Sequence, residues 1–177
     1  SLSQHAHELD LLKAILCAGT FPNVVTVNQG KRFAKFKTRE DGKVDLHPSS
    51  VNAKKNYFEE DWIVYSDKVK SSGIFIRANT MVSHFALILF GGVIADVEAQ
   101  EGGFGGLKRF SLLGDYIEYS AQPQVVAMIK ELRHRLEVLL QLKLQNPELD
   151  LAVEGRALVE AVLILLQSDN NSRRGDQ

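Results

Sequence analysis

The chain has 177 residues, of which 45% are hydrophobic and 24% charged, and its formal net charge is −1 at pH 7. A chain of this length buries about 70% of its unfolded surface, so it needs neither a metal nor a disulfide to fold. The single cysteine, Cys17, excludes an internal disulfide and favours a reducing, intracellular compartment, nuclear or cytoplasmic. Apolar runs such as 161–166 are far short of the roughly 20 residues that span a bilayer, so no transmembrane helix is expected.

The charge is unevenly distributed along the chain. Residues 31–77 carry eleven Lys or Arg against seven Asp or Glu, a net charge of +4, whereas residues 1–30 and 78–177 carry −1 and −4. The middle segment is therefore the part of the chain with an electrostatic preference for a polyanion. The alternative interpretation is an ordinary solvated surface.

Residues 4–19 are predicted to form the first helix. Ser3 is a suitable N-cap, and Gly19 stands where a glycine commonly ends a helix. Large apolar side chains recur on one face, at Leu9, Leu12, Ile15 and Leu16. This spacing predicts an amphipathic helix, with Cys17 buried in it as a small hydrophobic residue.

From Asn23 the apolar period changes from 3.6 to 2, which is typical of β-strands. Five short strands are predicted, around residues 25–27, 33–38, 44–47, 62–65 and 74–78. Turn signals separate several of them, at Asn28-Gln29-Gly30, Asp41-Gly42 and Ser71-Ser72-Gly73. So many short strands in one segment favour a small barrel or sandwich. The next apolar run, 85–90, fits a helix turn or a buried strand equally.

Two helices are predicted in the last third of the chain. Pro123 is expected to open a long helix that ends near Asn146-Pro147, and a second helix covers about 153–167. The apolar stripe of the first comprises Val125, Ile129, Leu132, Leu136, Leu139 and Leu140, and that of the second comprises Leu158, Val159, Val162, Leu165 and Leu166. Such a hairpin packs either on the barrel of the same chain or forms a groove for another polypeptide. The polar residues 169–177 are expected to be a disordered tail, and the glycine-rich segment 102–106 a mobile loop.

No constellation for catalysis is found in the sequence. It has no nucleophile elbow, no dinucleotide fingerprint and no Cys/His cluster at metal-binding spacing. The glycines at 102–106 are not followed by Lys-Ser/Thr, so they do not form a phosphate loop. The chain by itself is therefore predicted not to be an enzyme and to hold no metal or cofactor.

The strand at 31–39 carries the clearest functional pattern. Its odd positions share one face and comprise Lys31, Phe33, Lys35, Lys37 and Arg39. Its even positions Ala34 and Phe36 suit a barrel interior. Positive charges around an aromatic ring suit single-stranded nucleic acid, because the charges pair with phosphates and rings stack on bases. A solvated strand whose lysines protect a sheet edge is the alternative.

A second candidate group surrounds the turn Ser71-Ser72-Gly73. Lys68, Lys70 and Arg77 flank this turn. The two hydroxyls and the backbone N–H groups at its tip could contact phosphate oxygens.

A family resemblance extends over most of the chain, from about residue 9 to residue 146. It rests on LLKAILCAG at 11–19, FPNV at 21–24, HPSSVN at 47–52, WIVY at 62–65, SS at 71–72, IR at 76–77, LILFGG at 87–92, DYIEY at 115–119 and ELR at 131–133. These strings, in this order, resemble the C-terminal region of DEAH/DExH-box ATP-dependent RNA helicases. The leucine–phenylalanine–glycine run is similar to that of the subgroup containing the G-quadruplex and double-stranded-RNA helicases.

The resemblance implies an α+β fold with a five-stranded oligonucleotide-binding (OB) barrel. The implied organisation is a terminal helix of the helicase-associated domain at 1–20, the OB fold at 21–122, the helical hairpin at 123–168 and the tail at 169–177. Matched position by position, the basic strand is represented by Lys35 and Lys37, and the loop that touches RNA by Ser71 and Ser72. His47, Ser49 and Ser50 match the HPSS-type motif and either bind RNA or brace the barrel. Gly73 departs from relatives that have lysine there, and Lys70 is a candidate to replace that lysine.

The family's motor motifs are missing from these 177 residues, which contain no GKT-type phosphate loop, DEAH-like box or arginine finger. ATP and Mg²⁺ are therefore expected in the motor domains of a longer parent protein. The leading hypothesis is a single-stranded-RNA-binding module that lines the RNA channel. Its RNA-binding residues would be Phe33, Lys35, Lys37, His47, Ser49, Lys70, Ser71, Ser72 and Arg77. The alternative is a protein-interaction module that docks the RecA-like and helical domains of the helicase or an activator protein.

Overall fold

A computed structural model of the chain describes residues 2–97, 106–150, 153 and 155–174. The chain divides into two units, residues 1–91 and 92–177. Among these described residues, the first unit combines a seven-stranded sheet with two α-helices, and the second combines a three-stranded sheet with two further helices. The α+β class expected from the sequence is confirmed.

Seven strands of the first unit form one curled sheet. They are β1 Val24–Gln29, β2 Ala34–Thr38, β3 Gly42–Leu46, β4 Trp62–Tyr65, β5 Lys68–Lys70, β6 Ile74–Ile76 and β7 Asn79–Val82. Their order across the sheet is β5-β6-β3-β2-β1-β4-β7, and the pairing is antiparallel except between β3 and β6. The turn between β2 and β3 uses Gly42 at a φ of 67°, a conformation that glycine adopts without steric cost.

The sheet curls because the consecutive strands β6 and β7 pair with β3 and with β4, which lie at opposite ends of the series β3-β2-β1-β4. Only Arg77 and Ala78 separate β6, which pairs with β3, from β7, which pairs with β4. The strand count therefore differs from the predicted five. The fifth predicted strand, residues 74–78, ends after Ile76 at this step, where the backbone N–H of Arg77 donates to the carbonyl of Asp67 and the carbonyl of Ala78 accepts from the N–H of Ser66. The two additional strands are β5, which forms a hairpin with β6, and β7, which pairs with β4.

Alternating side chains of these strands fill the barrel interior. The core cluster comprises Val25, Val27, Val44, Leu46, Phe58, Ile63, Tyr65 and Ile76. Ala34 and Phe36 of β2 pack against it, as the alternation predicts. The opposite face of β2 is thereby left on the outside of the barrel.

The first helix, α1 (Leu2–Thr20), buries a different face from the one that the sequence predicts. Ala14 and Cys17 are fully buried, and the helix contacts α2 (His84–Phe90), β4 and β7. The predicted apolar face is exposed, with Leu9 at 51%, Leu12 at 52%, Ile15 at 57% and Leu16 at 38%. The amphipathic prediction is therefore corrected: small side chains let α1 approach its neighbours closely, whereas the large ones face outward.

Residues 85–90, which fit a helix or a strand equally, form α2. Ser83 caps this helix, since its side chain accepts a hydrogen bond from the N–H of Ala86 at 3.2 Å. A 3-10 turn, Val51–Lys54, stands between β3 and β4 and is capped in the same way by Ser50.

The second unit contains a separate sheet and a helical hairpin. Its strands are β8 Ala95–Asp96, β9 Lys108–Leu112 and β10 Ile117–Ala121, in the order β10-β9-β8, and its helices are α3 Pro123–Gln145 and α4 Arg156–Arg174. Helix α3 contacts β9 and α4. Of its predicted stripe, Ile129 is buried, whereas Val125 and Leu140 are exposed. Val126, which the prediction did not include, is buried together with Ile129 because residues three apart share a face of the helix.

The first unit ends at Gly91, whereas the resemblance implies an OB fold over 21–122, and these implied domains stay a prediction. Within the described residues, β8, β9 and β10 form a sheet of their own. Helix α4 continues to Arg174 and so includes most of the predicted tail. Residues 175–177 and most of the glycine-rich segment, 102–105, lie outside the described residues.

In the described part of the chain, none of the helices combines the length and the apolar character that a bilayer-spanning segment needs. No group of three or more His, Cys, Asp or Glu side chains within the same residues could hold a metal ion.

Candidate nucleic-acid interface

The outer face of β2 presents Lys35 and Lys37 to solvent. Both lysines are exposed, whereas Ala34 and Phe36 are half-buried and Thr38 is buried. The pairing of β1 with β2 places Asn28 opposite Lys35 and Thr26 opposite Lys37. The centre of this surface is therefore built on regular, paired strands.

The neighbouring strand adds a basic residue that the sequence interpretation missed. Lys43 of β3 is exposed and lies directly opposite Lys37. Like charges directly opposite one another are unfavourable in a sheet. The signal was present in the sequence, because Lys43 starts the alternation Lys43-Val44-Asp45-Leu46 immediately after the Asp41-Gly42 turn.

Phe33 lies at the entrance to β2. It is 77% exposed, and its carbonyl accepts a hydrogen bond from the N–H of Gly30 at 3.2 Å, which closes the β1–β2 turn. The strand begins at Ala34, so Lys31 lies in this turn and not in the strand. An exposed ring beside the lysines of β2 is in a position to stack on a base.

The β5–β6 hairpin carries the second predicted group. Lys70, Ser71 and Ser72 are exposed at its tip, where the N–H of Ser71 donates to the carbonyl of Gly73 at 2.8 Å. An added Cβ at Gly73 would meet only the ring of Phe75, at 3.5 Å. The tip therefore has room for a side chain at this position.

Lys68 links this hairpin to the β2–β3 turn. Its Nζ lies 2.7 Å from Asp41 Oδ2 and 3.4 Å from Glu40 Oε2. The hydrogen bond from Lys68 lowers the pKa of Asp41, and the same bond raises the pKa of Lys68. Asp41 is also held by Thr38, whose Oγ1 accepts from the N–H of Asp41 at 3.0 Å. The ion pair fixes the hairpin next to the strand that bears Lys43.

Arg77 lies at the base of the hairpin, not at its tip. Its Nε is 3.9 Å from Asp67 Oδ2, and its carbonyl accepts from Asn79 Nδ2 at 2.8 Å. Part of its charge is therefore offset by a neighbouring carboxylate.

His47 and Ser49 form a local pair after β3. The N–H of Ser49 points to His47 Nδ1 at 3.2 Å, and Ser49 Oγ lies 2.7 Å from the same nitrogen. A backbone N–H only donates, so Nδ1 accepts and the ring proton is assigned to Nε2. The His47 ring meets Phe75 of β6 edge-on, with ring centroids 6.2 Å apart. Phe75 is a second aromatic residue near this surface that the sequence interpretation did not select.

Ser50, the other serine of the HPSS-type motif, has bracing contacts. Its Oγ accepts from Asn79 Nδ2 at 2.8 Å, and Asn52 Nδ2 donates to Asn79 Oδ1 at 2.8 Å. These buried or half-buried side chains join the 3-10 turn to the start of β7. For Ser50, the geometry favours the bracing role over contact with RNA.

Two protein-family models match the chain. The model described as oligonucleotide/oligosaccharide-binding (OB)-fold matches residues 12–94, and the model described as C-terminal domain in RNA helicases matches residues 109–168. Together they cover both structural units.

Three similar proteins are helicases by name. The chain is 41% identical over 170 residues to the DExH-box ATP-dependent RNA helicase DExH1 of Arabidopsis thaliana, covering 96% of this chain and 16% of that protein. It is 37% identical over 152 residues to the ATP-dependent RNA helicase dhx29 of Xenopus laevis, covering 82% and 10%. It is 32% identical over 141 residues to the ATP-dependent DNA/RNA helicase DHX36 of Homo sapiens, covering 77% and 13%. The chain thus spans only a small part of the length of these relatives.

Proposed function

The chain belongs to the OB-fold and C-terminal-domain region of the DExH-box RNA helicases, and from this premise we propose that its first unit binds single-stranded RNA along the outer face of β2 and β3. In OB folds this face and the loops that flank it bind oligonucleotides. The observation that carries the proposal is the alignment of Lys35, Lys37 and Lys43 on paired strands, with exposed Phe33 at one end.

Each group on this surface has a distinct part in the proposed binding. The lysines of β2 and β3, together with Lys70 at the hairpin tip, neutralise phosphates, and Phe33 stacks on a base. Ser71 and Ser72 donate hydrogen bonds to the strand. Arg77, His47 and Ser49 contribute from the base of the hairpin and from the end of β3. Binding of this kind is largely tolerant of sequence.

The parent protein is proposed to be an ATP-dependent RNA helicase in which this chain lines the RNA channel. ATP and Mg²⁺ would bind in its RecA-like motor domains, and this chain would act by holding the strand. Within the intracellular compartment expected from the sequence, its partners would be those motor domains and RNA.

The direct experiment is fluorescence anisotropy of labelled single-stranded RNA with the 177-residue chain, repeated across a salt series. We expect saturable binding that weakens steeply as salt increases, because phosphate contacts release counterions. An absence of binding at low salt would contradict RNA binding by this chain.

A second candidate function is supported by the exposed apolar face of α1. Leu9, Leu12 and Ile15 leave large apolar side chains in solvent, which is typical of a docking surface. In this reading the chain docks the helicase's own domains or an activator protein. An environment-sensitive dye that binds the wild type, but not a Leu12→Ser, Ile15→Ser variant, would support it. Equal dye binding by the two proteins would count against it.

A further inference from the structure

A pocket of about 200 Å³ lies where β2 begins, β3 ends and the 3-10 turn passes. This volume exceeds the roughly 30 Å³ share of one water molecule and is below the roughly 300 Å³ at which pockets for drug-sized ligands begin. The pocket therefore suits a single planar ring system. None of the functional roles assigned above accounts for it.

The floor of the pocket is aromatic and apolar. Phe36 and Phe58 meet edge to face with ring centroids 5.1 Å apart, and Leu46 lies beside them. Exposed Phe33 stands at the rim. Such walls favour a flat, polarisable ligand over a sugar or a phosphate.

The polar residues that line the pocket are Asp45, Asn52, Lys55 and Asn56, and the first two supply acceptors. Asp45 is exposed, whereas Asn52 is only 8% exposed. Asn52 uses Nδ2 to donate to Asn79, whereas its Oδ1 accepts no hydrogen bond from any residue that the structure describes. A buried acceptor of this kind is normally satisfied, so a ligand that supplies a donor would be stabilised here.

Positively charged side chains surround the pocket, where they would pair with the phosphates of an RNA strand that continues past it. Lys55 lines the pocket, and Lys54 precedes it at the end of the 3-10 turn. Lys31 and Arg32 are exposed in the turn that leads to Phe33. A nucleotide whose base entered the pocket would therefore keep its phosphates near cations.

We infer that this pocket receives one nucleobase of the bound strand and prefers a base with an amino group on its hydrogen-bonding edge, so that cytosine is favoured over uracil. The inference rests on the proposed RNA binding. The amino group of cytosine donates to Asp45 and to Asn52 Oδ1, while uracil presents a carbonyl oxygen at the same ring position. The ring itself packs on Phe36 and Phe58.

The test compares octamers of cytidine and uridine, which have the same backbone and ring size, by anisotropy with the 177-residue chain at one salt concentration. We expect the cytidine octamer to bind about fivefold more tightly, the effect of one net hydrogen bond. Ala53→Trp fills the pocket from its exposed rim and should remove this preference. Asp45→Asn should reduce it without changing the size of the side chain.

Val51→Trp is the matched control, because Val51 is 84% exposed on the same turn and does not line the pocket. This variant should keep the fivefold ratio, and circular dichroism should show all three variants folded. Equal affinity of the wild type for the two octamers would overturn the pocket inference alone. If the wild type bound neither octamer, both the proposed function and the pocket inference would be overturned.

Discussion

At the scale of single residues, Lys35 and Lys37 of β2 give the most direct test of the proposed RNA binding. Lys35→Ala combined with Lys37→Ala should reduce the slope of log K against log salt by about 1.4, because each single-strand phosphate contact contributes roughly 0.7. The slope is measured by anisotropy with a labelled uridine octamer, and the folded state by circular dichroism. The matched control is Lys13→Ala with Lys130→Ala, which removes the same charge from helices outside the candidate surface. An unchanged slope in the β2 variant would place these lysines away from the RNA.

At the tip of the β5–β6 hairpin, an added charge should make the salt dependence of RNA binding steeper. Gly73→Lys should increase the salt slope by about 0.7 and tighten RNA binding, since it adds one cation beside Lys70, Ser71 and Ser72. The substitution is sterically admissible, because its Cβ meets only the Phe75 ring at an ordinary contact distance. Gly73→Ala adds the Cβ without charge and should leave the slope as in the wild type. If Lys and Ala behave alike at this position, the tip does not reach phosphate.

At the scale of elements, the Lys68–Asp41 ion pair connects the β5–β6 hairpin to the β2–β3 turn. A partly exposed pair of this kind contributes about 0.2–1 kcal/mol to the free energy of unfolding. The folded pKa of Asp41 is lowered, so its contribution is present above its ordinary pKa and is lost as pH falls through the folded pKa. The folded pKa of Lys68 is raised, so its contribution is present below its ordinary pKa and is lost as pH rises through the folded pKa.

The coupling between Lys68 and Asp41 should therefore be present from about pH 4 to about pH 10. A double-mutant cycle with Lys68→Met and Asp41→Asn, measured by urea unfolding, gives the coupling energy at each pH. We expect a positive coupling at pH 7 that is smaller at pH 2, because Asp41 becomes protonated as pH falls. A coupling that is the same at both values would mean that the contact is not an ion pair in solution.

Local periodicity predicted five of the seven strands in the sheet of the first unit, but it predicted neither β5 and β7 nor how the sheet closes. The alternation around Phe36 correctly assigned the inner and outer faces of β2, and Asp41-Gly42 correctly marked a turn. The break between β6 and β7 at Arg77 and Ala78 depends on pairing with β3 before the break and with β4 after it, which no local window contains. The bracing of Ser50 and Asn52 by Asn79 likewise joins residues 27 and 29 positions apart.

Helix α1 shows a different limit of sequence patterns. Its large apolar residues follow helical spacing, yet among the side chains of α1 that the structure describes, Ala14 and Cys17 are the buried ones. Periodicity identifies an apolar face but does not identify what covers it. In the same way, the sequence indicated the basic strand, whereas the pocket required Phe33, Phe36, Asn52 and Phe58 to be brought together by the fold.

At the scale of the whole molecule, all the candidate RNA-binding residues belong to the first unit. Residues 1–91 expressed alone should therefore bind the uridine octamer with the salt slope of the full chain. Residues 92–177 serve as the comparison and should not reproduce that slope. Circular dichroism must show that each fragment is folded. A folded first unit that binds no RNA would show that the second unit is required for the interface.

Cys17 is the single thiol of the chain, and its side chain is fully buried. Its reactivity therefore reports how often α1 detaches from the rest of the first unit. A thiol-specific reagent reaches this sulfur only while α1 is lifted from the rest of its unit, so the labelling rate under native conditions measures how often that opening occurs. A protein that covers the exposed side of α1 should slow the labelling. RNA bound on β2 should leave the labelling rate unchanged. The labelling rate therefore distinguishes protein docking on α1 from RNA binding on β2.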